Sequence, residues 1–139
     1  MTVPVPGFVT DGVDEPGTLS KHARVATFGP YVGVVDLVHD GDTVNVKLDV
    51  GFDLTVYTRV RIDGINAPEL STPEGKAARD FAQTLLAPGD RVHVLSYGWD
   101  KYGGRIDGAI ALADGRDFAK AMLDAGHAKP YAGIGPKPV

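Results

Sequence analysis

No cysteine occurs in the 139-residue chain, so disulfides and thiolate metal sites are both excluded. That usage suits a cytoplasm, and a cytoplasmic location is the expectation. No apolar run is long enough to span a bilayer, so no membrane partner is expected. The opening residues, Met1-Thr2-Val3-Pro4-Val5-Pro6-Gly7, lack the basic start and apolar stretch of a secretory signal. An excess of positive charge is also missing. Fourteen Lys and Arg against 18 Asp and Glu leave a net charge of −4. Proteins that coat nucleic acid through many phosphate contacts are usually basic, because each Lys or Arg displaces condensed counterions. Tight electrostatic coating is thereby excluded. Chemistry on a phosphodiester is not, provided that charge is segregated and a bound cation offsets some carboxylates.

What is present reads as one ordinary globular domain. Hydrophobic residues make up 43% and charged residues 23%, and the length suffices for a core. Residues 1–30 are rich in Pro, Gly, Asp and Thr and are read as a partly ordered extension, with one short strand at Arg24–Phe28. Residues 31–131 carry the periodic pattern, and 132–139 form a tail. A monomer is expected.

Tyr31 to His39 is β-rich, and Asp40-Gly41 is a turn signal. Val44, Val46, Leu48 and Val50 then alternate with Asn45, Lys47 and Asp49, completing a hairpin. After Gly51-Phe52-Asp53, a third strand sets Leu54, Val56, Thr58, Val60 and Ile62 on one face. Arg59, Arg61 and Asp63 share the other. Asn66-Ala67-Pro68-Glu69 breaks that strand. A helix follows, with Thr72 as N-cap, Pro73 at its first position and Glu74 at the positive end of the dipole. Ala77, Phe81 and Leu85 mark its inward face, and Pro88-Gly89 ends it. Two strands, Arg91–Tyr97 and Arg105–Leu112, precede a second helix over Asp117–Ala125, with Phe118 and Met122 inward and Gly126 as its stop. The fold class is α+β, mainly β. It is a five-stranded barrel of the OB type, with one helix after strand three and another after strand five.

Three polar clusters carry the chemistry. Asp40 and Asp42 lie in the first turn, as hard oxygen ligands suited to Ca²⁺ or Mg²⁺. Arg61, Asn66 and Glu69 form the second, and Asp100-Lys101-Tyr102-Gly103-Gly104-Arg105 the third. Each alone is weak, since Asp-Gly is usually only a turn and a Glu before a helix is often only a dipole partner. Together they supply what phosphodiester hydrolysis needs: a Lewis acid, a base for water, and cations for the charge that develops. His22, His39, His93 and His127 show no metal-ligand spacing and are assigned to surface or core. Trp99 reads as a packing residue at the loop base, with base stacking as its other role.

Asp40-Gly41-Asp42-Thr43, then Arg61 to Glu69, then Asp100 to Arg105 resembles the ordered motif series of the staphylococcal nuclease family. Asp114-Gly115 and Gly126-His127-Ala128-Lys129 extend the similarity over residues 31 to 131. The resemblance implies a nuclease acting on single- or double-stranded DNA or RNA and leaving 3′-phosphates. It implies that Asp42, Asn66 and the Ala67 carbonyl bind Ca²⁺, with Mg²⁺ as the other candidate and Asp40 in support. It further implies that Glu69 activates water, that Arg61 and Arg105 stabilise the phosphorane-like transition state, and that Lys101, Tyr102 and Tyr131 bind the nucleotide. Asn66 replaces an Asp of the family pattern, so the site carries one negative charge fewer and should bind calcium more weakly. Gly104 is an extra residue, expected to turn Arg105 to the other face unless a bulge absorbs it. Asp63 and Asp107 each lie two residues from an arginine, placed to orient or neutralise it. The family's C-terminal helix is expected to be missing from the stretch after Tyr131. The runner-up function is a nucleic-acid-binding barrel without catalysis.

Overall fold

The computed structural model describes residues 27–101 and 103–131. The proposed strand at Arg24–Phe28 lies outside them but for its last two residues, and His22, Tyr102 and the tail lie outside them altogether. The barrel strands are β1 (Phe28–Asp40), β2 (Thr43–Asp49), β3 (Thr55–Ile62), β5 (Arg91–Trp99) and β6 (Ile106–Ala111). They close in the order β1-β2-β3-β6-β5. All neighbours are antiparallel except β3 and β6, which run parallel in the register Val60↔Ile106, Arg61↔Asp107 and Ile62↔Gly108. Helix α1 (Pro73–Leu85) follows β3 by way of a short strand β4 (Ile65–Asn66), and α2 (Phe118–Asp124) leads to β7 (Lys129–Pro130). The mainly β, OB-type architecture read from the alternation is the one present.

Alternation builds the core. Val44, Val46 and Leu48 of β2, Val60 and Ile62 of β3, Val92 and Val94 of β5, and Ile106 and Ile110 of β6 are buried inside the closed sheet. Closure leaves no unpaired edge among these five strands. Leu54, just ahead of β3, and Val56 follow the alternation but are exposed, at the end of the strand away from the buried Val60 and Ile62.

Both helices begin as expected. Thr72 Oγ1 accepts from Gly75 N–H at 3.0 Å, and the Asp117 carboxylate accepts from Lys120 N–H at 3.1 Å. Phe118 and Met122 are buried in α2. The inward face of α1 is a correction: Gly75, Ala78 and Ala82 are buried, whereas Ala77 is exposed and Phe81 and Leu85 only half-buried. Small residues face in because the helix lies tightly on the β1–β2 turn. Phe81 covers the seam instead, its ring stacked on His127 at 4.9 Å between centroids. The strand also breaks earlier than expected, at the Asp63-Gly64 turn. Ile65-Asn66 then pairs with Lys129-Pro130.

Gly41 shows how close that packing is. A Cβ at this position would meet the Ala67 Cβ at 2.7 Å and the Ala78 Cβ at 3.1 Å. Gly41→Ala should therefore lower the urea midpoint at unchanged m-value, corresponding to about 1–3 kcal/mol of overpacking.

Candidate active site

Asp42 sits at the tip of the β1–β2 turn with its carboxylate pointing into the protein. Its Oδ2 accepts from Ala67 N–H at 2.9 Å. Its Oδ1 accepts from Thr43 Oγ1 at 3.1 Å. Asp40 shapes the turn by accepting from Asp42 N–H through Oδ1 at 3.0 Å. Arg61, near the end of β3, reaches the same place. Its Nη2 lies 3.5 Å from Asp42 Oδ2 and 3.4 Å from Asn66 Oδ1. Its Nη1 donates to Ile62 O at 2.6 Å. Asp40, Asp42, Arg61, Asn66 and Ala67 thus form one cluster, assembled from the β1–β2 turn, β3 and β4. Strand β4 is held in place by β7 and by Tyr131, whose N–H donates to Gly64 O at 2.9 Å.

Arg105 stands immediately before β6, two residues ahead of Asp107, which pairs with Arg61 in the parallel ladder. The extra Gly104 lies outside the strand. The residue is absorbed in the loop between Asp100 and Arg105, where Gly103 and Gly104 both take positive φ and Asp100 N–H donates to Arg105 O at 2.8 Å. Asp63 and Asp107 make no ion pair with the arginines within 4.0 Å among the described residues, although both arginine charges act on Asp107. Arg61 pairs with Asp42, and Arg105 Nε pairs with Asp100 Oδ2 at 2.5 Å. Asp100, which is buried, is the anchor that the residue pattern left without a role. Its only signal was its place at the head of the third motif.

Glu69 lies two residues beyond Ala67, exposed and ahead of α1. Its carbonyl accepts from Thr72 N–H at 2.9 Å and from Thr72 Oγ1 at 2.7 Å. Gly75 lets the helix approach this carbonyl, since a Cβ there would lie 1.9 Å from Glu69 O. Lys101 is exposed in the loop ahead of Arg105, and Tyr102 lies outside the described residues. His39 and His93 are exposed, and His127 is half-buried. Trp99 is 67% exposed and so is not the packing residue expected.

Residues 59–138, more than half of the chain, match the family model described as staphylococcal nuclease homologue. The chain belongs to the staphylococcal nuclease family. It is similar to Endonuclease YhcR of Bacillus subtilis (strain 168), at 34% identity over 116 residues that cover 74% of this chain and 9% of that protein. It is also similar to an uncharacterized endonuclease of Escherichia coli, at 35% identity over 107 residues covering 77% of this chain and 65% of that protein. The chain therefore spans less than two thirds of these relatives' own length. The span matched by the family model begins after the β1–β2 turn, so Asp40 and Asp42 lie outside it.

The electrostatics of that site are uneven. Burial, the hydrogen bond with Asp40 and the charge of Asp40 raise the Asp42 carboxyl above its ordinary range, against Arg61 and the Ala67 N–H, which lower it. Asp107 is also raised, by burial first and then by Asp100 and Asp63, against both arginines. A carboxyl raised on folding binds its proton more tightly in the native state, so its contribution to stability is lost as pH rises through its range. Near neutral pH with chelator present, Asp42→Asn should be at least as stable as the parent, because the amide oxygen still accepts from Ala67 N–H. Asp42→Ala should lose about 3 kcal/mol, leaving Ala67 N–H and Arg61 without their partner. Urea denaturation of the two variants checks both.

Proposed function

We propose that the chain hydrolyses phosphodiester bonds of DNA or RNA at the Asp42–Arg61–Arg105 cluster. The observation that carries this reading is the pair of arginines. Arg61 lies on β3 and Arg105 immediately precedes β6, the parallel neighbour of β3, and each is tied to a buried aspartate. Two oriented guanidinium groups suit the equatorial oxygens of a phosphoryl group in transition, and the relatives' names agree with that chemistry.

The donor set fits a hard divalent cation held weakly. Asp42 Oδ2 and Asn66 Oδ1 approach one common cationic atom, Arg61 Nη2, at 3.5 and 3.4 Å. Every donor is oxygen. Among the described residues no group of three or more Asp, Glu, His or Cys is gathered for a metal. Asp42, Asn66 and the Ala67 carbonyl would hold Ca²⁺, or Mg²⁺, with Asp40 in support, at an affinity of about 10⁻⁴–10⁻³ M. When bound, the cation supplies Lewis-acid polarisation of a non-bridging phosphate oxygen.

The chain's own groups do the rest. Arg61 exchanges its long contacts with Asp42 and Asn66 for shorter ones to phosphate. Asp100 holds Arg105 by Nε, the nitrogen that a grip through both Nη atoms does not need. Glu69 accepts a proton from the attacking water as its oxygen bonds to phosphorus. The bond from phosphorus to the 5′-oxygen breaks, and that oxygen takes a proton from solvent, leaving a 3′-phosphate. Lys101, Tyr102 and Tyr131 serve the flanking nucleotide.

Purified protein should cleave single-stranded DNA, duplex DNA or RNA with Ca²⁺ or Mg²⁺ and not with chelator. Glu69→Gln and Arg61→Ala should each lower kcat by about 10²–10³-fold with unchanged far-UV circular dichroism. Absence of cleavage with every metal and substrate would overturn the enzyme reading in favour of a barrel that binds without cutting. Full activity in Glu69→Gln would overturn the site.

A further inference from the structure

We infer that Trp99 is a stacking platform for an unpaired nucleobase, at the base of the loop whose Arg105 is proposed to hold phosphate. The inference rests on the nuclease reading above and adds a subsite to it.

Three observations carry it. The first is exposure. Trp99 is 67% exposed, whereas Ile106, its partner on the last rung of the β5–β6 ladder, is buried. An indole this exposed offers a large, flat apolar face to a ligand. The second is position. Trp99 immediately precedes Asp100, which grips Arg105, and it pairs with the residue that immediately follows Arg105. A β-bulge between Ser96 and Trp99 sets this register. Bulges of this kind re-aim a side chain at the end of a strand. The third is charge. At a net charge of −4 the chain has little general attraction for a polyanion. Affinity must come from a few oriented contacts and from a source that salt does not screen. Stacking of a base on an aromatic ring is such a source, and it tolerates any sequence because every base has a π-face. It also requires the base to be out of a duplex, which makes single strands the favoured substrate at this subsite.

Trp99 is the sole tryptophan, so its fluorescence reports on this position alone. The experiment titrates a short single-stranded oligonucleotide into the protein with chelator, which keeps the strand intact. Trp99 emission is followed together with the anisotropy of a dye on the oligonucleotide. Emission should be quenched along the same binding curve as the anisotropy. Trp99→Ala should raise Kd, and KM for single-stranded substrate, about ten-fold at nearly unchanged kcat, and Trp99→Phe should recover most of the loss. Duplex of the same sequence should show a smaller effect. Binding seen by anisotropy with unchanged emission, or equal Kd in Trp99→Ala, would overturn the stacking role and leave the nuclease reading standing. No binding by anisotropy at any concentration would overturn the stacking role, while the cleavage assay above judges the nuclease reading separately.

Discussion

One buried carboxylate ties the site to the fold. Asp42 accepts the Ala67 N–H with one oxygen and the Thr43 hydroxyl with the other, and Arg61 lies beside it. These contacts join the β1–β2 turn to β3 and to the segment that leads through Glu69 into α1. The backbone repeats the tie, since Ile62 N–H donates to Asp42 O at 2.8 Å. The turn can sit so deep because Gly41 has no side chain to hold Ala67 and Ala78 away. The arrangement is electrostatically unfavourable for Asp42, which burial and Asp40 push towards its protonated form. A carboxylate kept where its charge is disfavoured marks a candidate functional group.

The second half of the site depends on register. Arg61 and Arg105 lie far apart in sequence, and the parallel pairing of β3 with β6 brings their segments side by side, with Asp107 opposite Arg61. Asp100 then fixes Arg105 from the head of its own loop. Each arginine is thus held by an aspartate on a neighbouring segment, while Asp63 and Asp107 surround the pair without an ion pair within 4.0 Å among the described residues. The result is a patch where positive charge is oriented, on a chain that is acidic as a whole. Brief, oriented contact with a phosphate suits it better than broad adhesion.

Much of this was legible in the residues, and the failures have physical causes. Caps are local, so Thr72, Pro73 and the inward Phe118 and Met122 could be read directly. Alternation told which way β3 side chains point, but not where the core ends, and Leu54 and Val56 fell beyond it. The inward face of α1 was misread because large apolar residues outweigh Gly75, Ala78 and Ala82 in any periodicity. What selects the small face is the close approach of Gly41, a tertiary fact. Gly104 raised a question of register that only the course of the loop answers. Asp100 was visible as a motif letter, yet its grip on Arg105 depends on a turn that no spacing rule reveals. Strands β4 and β7, two residues each, are too short to show a pattern at all.

The central claim is that the Asp42 cluster both anchors the barrel mouth and receives the cation needed to cut phosphodiesters. Backbone and arginine Nε chemical shifts recorded by NMR during a Ca²⁺ titration test it most directly. The account predicts saturable shifts concentrated at Gly41–Thr43, Ile65–Ala67 and the Arg61 side chain. Shifts gathered elsewhere, for instance at the Gly51–Asp53 turn, or no saturable change at any residue, would contradict it.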